Sequence, residues 1–252
     1  MKCIHTVIIV IVIFLFLTCS GTLISSRYKR ASLLQKIKSG SLWDDLWNTA
    51  TELKVSAQTQ IEFTIGPMVF TDKFITDKKD AETIMEVASR WGLEQRTNAS
   101  IPPHRFQWRH GPTMQYLNNV VYVSPETLSR FRDTDFALAA VHEVVGHHFQ
   151  ETNALGKNKR LEQEGCAMTC EKVLFQEIAP ALVSRWRLMR YVRALIDLQT
   201  TAPVPTRPPP REIYEHFGVY TMTLESILNS VKQHPGFSLN YLDSKKGLGC
   251  AC

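Results

Sequence analysis

Between Asp135 and Gln150 the chain reads DFALAAVHEVVGHHFQ, and its apolar residues Phe136, Leu138, Ala139, Val141, Val144 and Val145 surround a histidine and a glutamate. Asp133 and Thr134 offer N-cap oxygens just before it. The pattern predicts a buried helix starting at about Asp135 that carries His142, Glu143, His147 and His148 in its interior.

The spacing of these residues is unusual. The common zinc helix, HExxH, puts two histidines four apart on one face, with the intervening glutamate as general base. Here His142 and His147 are five apart because Gly146 takes the fifth position. In a regular α-helix that step turns the second side chain about 140° away from the first. A π-bulge, which widens the turn by one residue, brings such a pair back together. Gly146 then eases a close approach to a metal or a neighbouring helix. His148 is the competing second ligand and would need two extra residues in the turn.

Two histidines on an apolar helix are more often packed residues than ligands. What shifts the reading is Glu164, in the downstream segment Glu162-Gln163-Glu164-Gly165-Cys166-Ala167. A catalytic zinc takes three protein ligands and keeps one position open. His142, His147 and Glu164 are the candidate ligands for one Zn2+ per chain, and Glu143 is the candidate base for attack on a peptide carbonyl.

The start of the chain points to the secretory pathway. Lys2 leads into the apolar run Val7 to Leu17, followed by Thr18, Cys19, Ser20, Gly21 and Thr22, the order of a signal peptide. Counted outward from Ile4 to Ile24 the stretch reaches about 20 residues, enough for a retained signal anchor. Asn98-Ala99-Ser100 is a glycosylation sequon, and Arg27-Tyr28-Lys29-Arg30 resembles a dibasic processing site. If Cys3 and Cys19 leave with the signal, Cys166, Cys170, Cys250 and Cys252 remain, an even set that favours a tail stapled onto the helix of Cys166 and Cys170. Reduced thiols, or prenylation of the terminal Cys-Ala-Cys in a cytosolic protein, are the alternatives.

The expected organisation is a signal peptide or anchor at 1–21, a linker or propeptide at 22–41, one domain at 42–249 and a cysteine tail at 250–252. Helical spacing marks Leu42 to Leu53, Asp80 to Trp91, Leu161 to Ile178, Ala181 to Leu198 and Glu212 to Val231, with a proline-rich loop at Ala202 to Pro210. Strands are expected within Gln60 to Phe70 and at Asn119 to Val123, the latter as an edge on which an extended peptide lies. The fold class is mainly α with a small β-sheet, an α+β arrangement. The net charge of +5 is spread along the chain without a basic, aromatic-rich tract, which argues against nucleic acid as a partner.

The motifs, in order, resemble the C-terminal half of a bacterial family catalogued as domain of unknown function 885. Its HEaxPGHHLQ matches His142 to Gln150, and its EGWALYxE matches Glu164 to Glu171. Its R-x-x-R-x-x-x-D matches Arg190, Arg193 and Asp197, and its PGQxxxY matches Pro235 to Tyr241. The pair HExxxH and QEG is also similar to the tubulin tyrosine carboxypeptidases and their QEGLA-motif relatives. Both resemblances imply a gluzincin-like zinc metallopeptidase with a helical core. They further imply Tyr241 as an oxyanion donor and Arg190 and Arg193 as binders of a substrate carboxylate, of carboxypeptidase or dipeptidase type. The chain differs in lacking the first motif's proline, in Cys166 for tryptophan, in Phe237 for glutamine and in Thr201 where relatives often carry histidine.

The expected protein is thus a secreted or lumenal zinc peptidase acting on a peptide or protein, touching a membrane only through an uncleaved N-terminal segment. Its rivals are an inactive secreted binding protein that keeps the fold and a signal-anchored interaction protein whose histidines are structural.

Overall fold

The computed structural model describes residues 41–95, 105–111, 114–117, 120–147, 160–218 and 221–243. The expected signal segment, linker, sequon at Asn98 and tail cysteines Cys250 and Cys252 lie outside them, as does His148. Contacts divide the chain into Met1–Trp47 and Asn48–Cys252. In the first unit, Trp43 and Trp47 open helix α1 (Ser41–Ala57) and stack with centroids 5.9 Å apart. Everything that follows concerns the second unit.

A hairpin comes first. Strands β1 (Phe63–Ile65) and β2 (Met68–Phe70) pair antiparallel, with Phe63 opposite Phe70. Gly66, at φ 57, supplies the positive φ that the two-residue turn requires. The rings of Phe63 and Phe70 stack at 4.7 Å, and Phe63 meets Phe175 edge-on. Helix α2 (Lys78–Glu94) starts where the Asp77 carboxylate accepts the amides of Lys79 and Asp80.

The second sheet holds β3 (Arg105–Trp108), β4 (Met114–Leu117) and β5 (Val120–Val123) in the order β3-β5-β4. The expected edge strand is therefore the central one: β5 pairs with β3 parallel and with β4 antiparallel. Val121 and Val123 are fully buried, which an edge position would not give them. The edge beside the histidine helix is β4, which the sequence pattern did not reveal.

Helix α3 (Asp133–Ala140) is buried at every residue and continues as a π-helical turn, Val141–Gly146. Its start is tied down by acids that complement the helix dipole. Asp135 accepts the backbone N–H of Arg132 at 3.1 Å and the indole N–H of Trp186 at 3.0 Å. Asp133 accepts the amide of Thr71 at 3.0 Å. Asp72 takes both Arg185 guanidinium nitrogens at 2.7 Å, Arg132 at 2.6 Å and the Thr134 hydroxyl at 2.7 Å.

Four more helices are joined to a fifth: α4 (Arg160–Phe175), α5 (Pro180–Thr201), α6 (Pro210–Phe217), α7 (Leu224–Gln233) and α8 (Phe237–Asp243). The single helix expected over Glu212 to Val231 is two. Gly218, at φ 67, ends α6 with its N–H on the Tyr214 carbonyl, and the Thr223 hydroxyl restarts the chain as α7. The result is mainly helical with two small sheets, the α+β class expected. Among the described residues no helix is long and apolar enough to cross a membrane.

The Asp72 network fixes the helix that carries the histidines. Burial raises the Asp72 pKa, but Arg185, Thr134 and Arg132 outweigh it and hold the carboxyl below 3.8. Arg185→Ala leaves Asp72 and the buried Asp135 short of their cation and is expected to lower stability by about 3 kcal/mol in urea denaturation at pH 7. Because the folded Asp72 pKa lies below its unfolded value, its contribution is complete above pH 3.8 and is lost as pH falls through the folded value. The gap between wild type and variant is therefore expected to narrow at the acid end.

Candidate metal centre

His142 and His147 are five positions apart, and the π-turn between them does the geometric work. One additional residue in the turn brings the two imidazoles to the same side, with ring centroids 5.3 Å apart at 85°. Regular α-hydrogen bonding resumes at His147, whose N–H reaches the Glu143 and Val144 carbonyls.

Gly146 sets the distance to the next helix. A Cβ there would stand 2.5 Å from the Ala167 Cβ and 2.6 Å from its Cα, so only glycine lets α4 come this close. The approach delivers Glu164, one turn before Ala167, to the histidines. His142 Nε2 and Glu164 Oε2 are 3.4 Å apart, and ligand atoms of His142, His147 and Glu164 all lie within 4.8 Å of one another. Two ligands about 2.1 Å from a tetrahedral ion sit about 3.4 Å apart, the separation of the His142 and Glu164 donors. The three residues form a largely buried group that could hold a metal ion.

Glu143 lies beside the cluster without belonging to it. Its Oε2 is 3.8 Å from His147 Nε2 and accepts the backbone N–H of Tyr116, on edge strand β4, at 2.9 Å. Burial pushes its carboxyl pKa up, opposed by the two histidines and the Tyr116 amide. A raised carboxyl suits a group that takes and returns protons near neutrality.

Behind His142 stands a relay of charges. Its Nδ1 meets Glu171 Oε2 at 2.8 Å, and the other Glu171 oxygen holds Arg190 Nη1 at 2.5 Å. Burial acts to lower the His142 pKa, yet the carboxylates of Glu164, Glu171 and Glu143 raise it to about 10. Glu171 itself is held low despite burial, by Arg190 and His142. Three carboxylates converge on one imidazole, and the pocket is built to receive positive charge.

The structure sorts the remaining site residues. Arg190, expected on a substrate carboxylate, takes the other course open to it and pairs with Glu171. Arg193 reaches Ser230 at 3.5 Å and lines a cavity of about 230 Å³ that His142, Glu143 and Glu164 also line. Asp197 accepts the amides of Gly236 and Ser238 at 2.9 and 3.0 Å, fastening α8 to α5. Tyr241 belongs to α8, and its side chain lies outside what is described. Thr201 is exposed and bonds back to the Asp197 carbonyl. Cys166 and Cys170 are buried on α4, and no disulfide joins two described cysteines to each other. Glu171 is the neighbour of the cluster that spacing alone did not single out; its signal was seven residues from Glu164, two helical turns along the same face.

No protein-family model, no curated protein and no solved structure matches the chain.

Two substitutions test this geometry. Gly146→Ala gains about 1 kcal/mol of helix propensity but meets backbone, which cannot rotate away, at about 1–3 kcal/mol. It is expected to lower the melting temperature and to weaken metal binding in a chelator-competition titration. Glu171→Gln leaves the three ligands in place and removes the charge that orients His142. Its zinc affinity is expected to fall about 10- to 100-fold by the same titration, with the far-ultraviolet circular dichroism unchanged.

Proposed function

We propose that this chain is a zinc-dependent peptide-bond hydrolase. The observation that carries the reading is the joint placement of His142, His147 and Glu164 around one point with Glu143 alongside, on a turn widened at the one place the spacing requires. The motif order, which resembles that of the domain of unknown function 885 family, and the HExxxH and QEG pair, which resembles that of the QEGLA-motif family, support the same chemistry.

A zinc ion held by the three ligands would supply Lewis-acid polarisation of a carbonyl and would acidify a water molecule. The protein's own part is proton handling and orientation. Glu143 Oε2, fixed by the Tyr116 N–H, takes the proton of the attacking water and carries it to the leaving amine. Glu171 and Arg190 hold the His142 ring in one tautomer and direction. Strand β4 offers its edge to an extended peptide, and Arg193 stands in the cavity wall where a substrate carboxylate could be met. Secretion behind a cleaved signal, glycosylation at Asn98 and a tail stapled through Cys250 and Cys252 to Cys166 and Cys170 complete the proposal.

Thr201 favours a second reading, a metal-loaded binding protein that does not hydrolyse, because its exposed hydroxyl is engaged by its own helix. Two measurements decide. Elemental analysis of protein secreted from a eukaryotic host is expected to give near one zinc per chain, lost in His147→Ala and Glu164→Ala and kept in His148→Ala. Cleavage of a peptide library is expected to vanish in Glu143→Gln with zinc still bound. Zinc without cleavage in the wild type establishes the binding protein, and no zinc removes both readings.

A further inference from the structure

The cavity beside the metal cluster has walls of a different character from its floor. Its metal end is polar, but Met114, Phe131, Ala139, Trp186, Met189 and Met222 make up the rest of the lining, apart from two arginines. These walls come from β4, the end of the loop before α3, α3 itself, α5 and the segment before α7, so residues far apart in the chain converge on one apolar chamber.

The chamber is held in shape. Phe131 and Trp186 meet edge-to-face at 5.8 Å, and the Trp186 indole N–H is fixed on Asp135 at 3.0 Å. The Met189 sulfur accepts the buried Thr221 hydroxyl at 2.9 Å. Arg190 is anchored by Glu171 with its guanidinium 5.9 Å from the Trp186 ring. Little side-chain entropy remains to be lost when something enters, which favours binding.

Its size selects the occupant. An apolar cavity of about 150 Å³ takes benzene, so a volume of about 230 Å³ accommodates a phenyl, indole or long aliphatic side chain. Three methionines in the lining adapt to differing shapes while staying apolar. The apolar walls desolvate the charge of a lysine or arginine side chain, which disfavours its entry.

We infer that this chamber is the specificity pocket of the centre and receives a large apolar side chain, aromatic or methionine-like, of the peptide residue adjoining the scissile bond. The inference rests on the hydrolase reading for its word scissile, but its binding content stands apart from hydrolysis.

The test uses full-length secreted Glu143→Gln protein loaded with zinc, titrated calorimetrically with Gly-Gly-Xaa-Gly-Gly peptides, both free and terminally blocked. Phenylalanine, methionine and leucine at Xaa are expected to bind about tenfold or more tightly than alanine, and lysine more weakly than alanine. Ala139→Leu in the same background fills the chamber and is expected to abolish the preference. Should that variant fold poorly, Met222→Glu, at the half-buried rim, is expected to raise lysine above leucine. Equal affinities across Xaa, lysine preference in the unaltered chamber, absence of binding in both peptide sets, or a rank order unmoved by either variant overturns the inference. Apolar preference without wild-type cleavage leaves the pocket standing and removes the hydrolase; cleavage indifferent to Xaa does the reverse.

Discussion

One extra residue in a single helical turn is the constraint on which the rest of the molecule depends. Without the π-turn at Val141–Gly146, His147 would face a different neighbour from His142, and no arrangement of α4 could serve both. A π-turn has poorer backbone geometry than an α-turn and persists only where its surroundings enforce it. Here they do so from two sides. Gly92 of α2 lies against Val141 and Val145 so closely that a Cβ would fall 2.8 Å from the Val145 side chain, and Ala167 of α4 closes on Gly146 from the other side. The distortion is clamped between two glycine-permitted contacts, one within the turn and one facing it.

The second requirement is charge. A helix buried on all sides cannot carry ionised groups unless each finds a partner. This one carries acids at its start and a histidine and glutamate at its end, and α5 answers both with arginines five residues apart. Arg185 meets Asp72 and Asp135 at the entrance, and Arg190 meets Glu171 behind His142. Such pairs contribute little net stability against an apolar alternative, yet losing one partner is severe because the other stays buried. Their value lies in fixing register: α5 cannot slide along α3 and α4 without breaking both.

How far the chain announced all this varied with the kind of information involved. The buried helix and the need for a bulge followed from spacing, because helical periodicity converts sequence separation into angle, whereas Glu164 was named from the need for a third ligand. The break in the last long helix was also visible, since Gly218 is where a left-handed cap goes, but the amphipathic stripe on either side masked it. Strands β3 and β4 were not legible, as short strands gain stability from partners distant in sequence and carry little pattern of their own. For the same reason β5 was taken for an edge when it is the centre. Arg190 illustrates the limit for side chains: sequence gives the guanidinium, and only packing shows that it meets Glu171.

Helix α5 ties these strands of reasoning together. Trp186, Arg190, Arg193 and Asp197 follow one another at intervals of four, three and four residues, the step that keeps side chains on one face. Trp186 is bonded to Asp135 at the entrance of the histidine helix, and Arg190 steadies the carboxylate behind His142. Arg193 turns to the cavity, and Asp197 holds the amides that begin α8. A single helical stripe thus fixes the entrance of the histidine helix, one of its candidate ligands, the cavity wall and the segment bearing Tyr241, in that order along its length. The R-x-x-R-x-x-x-D pattern is then the visible part of a positioning face. Its arginines and its aspartate answer to three different partners, which is why no single contact explains the spacing and the helix as a whole does.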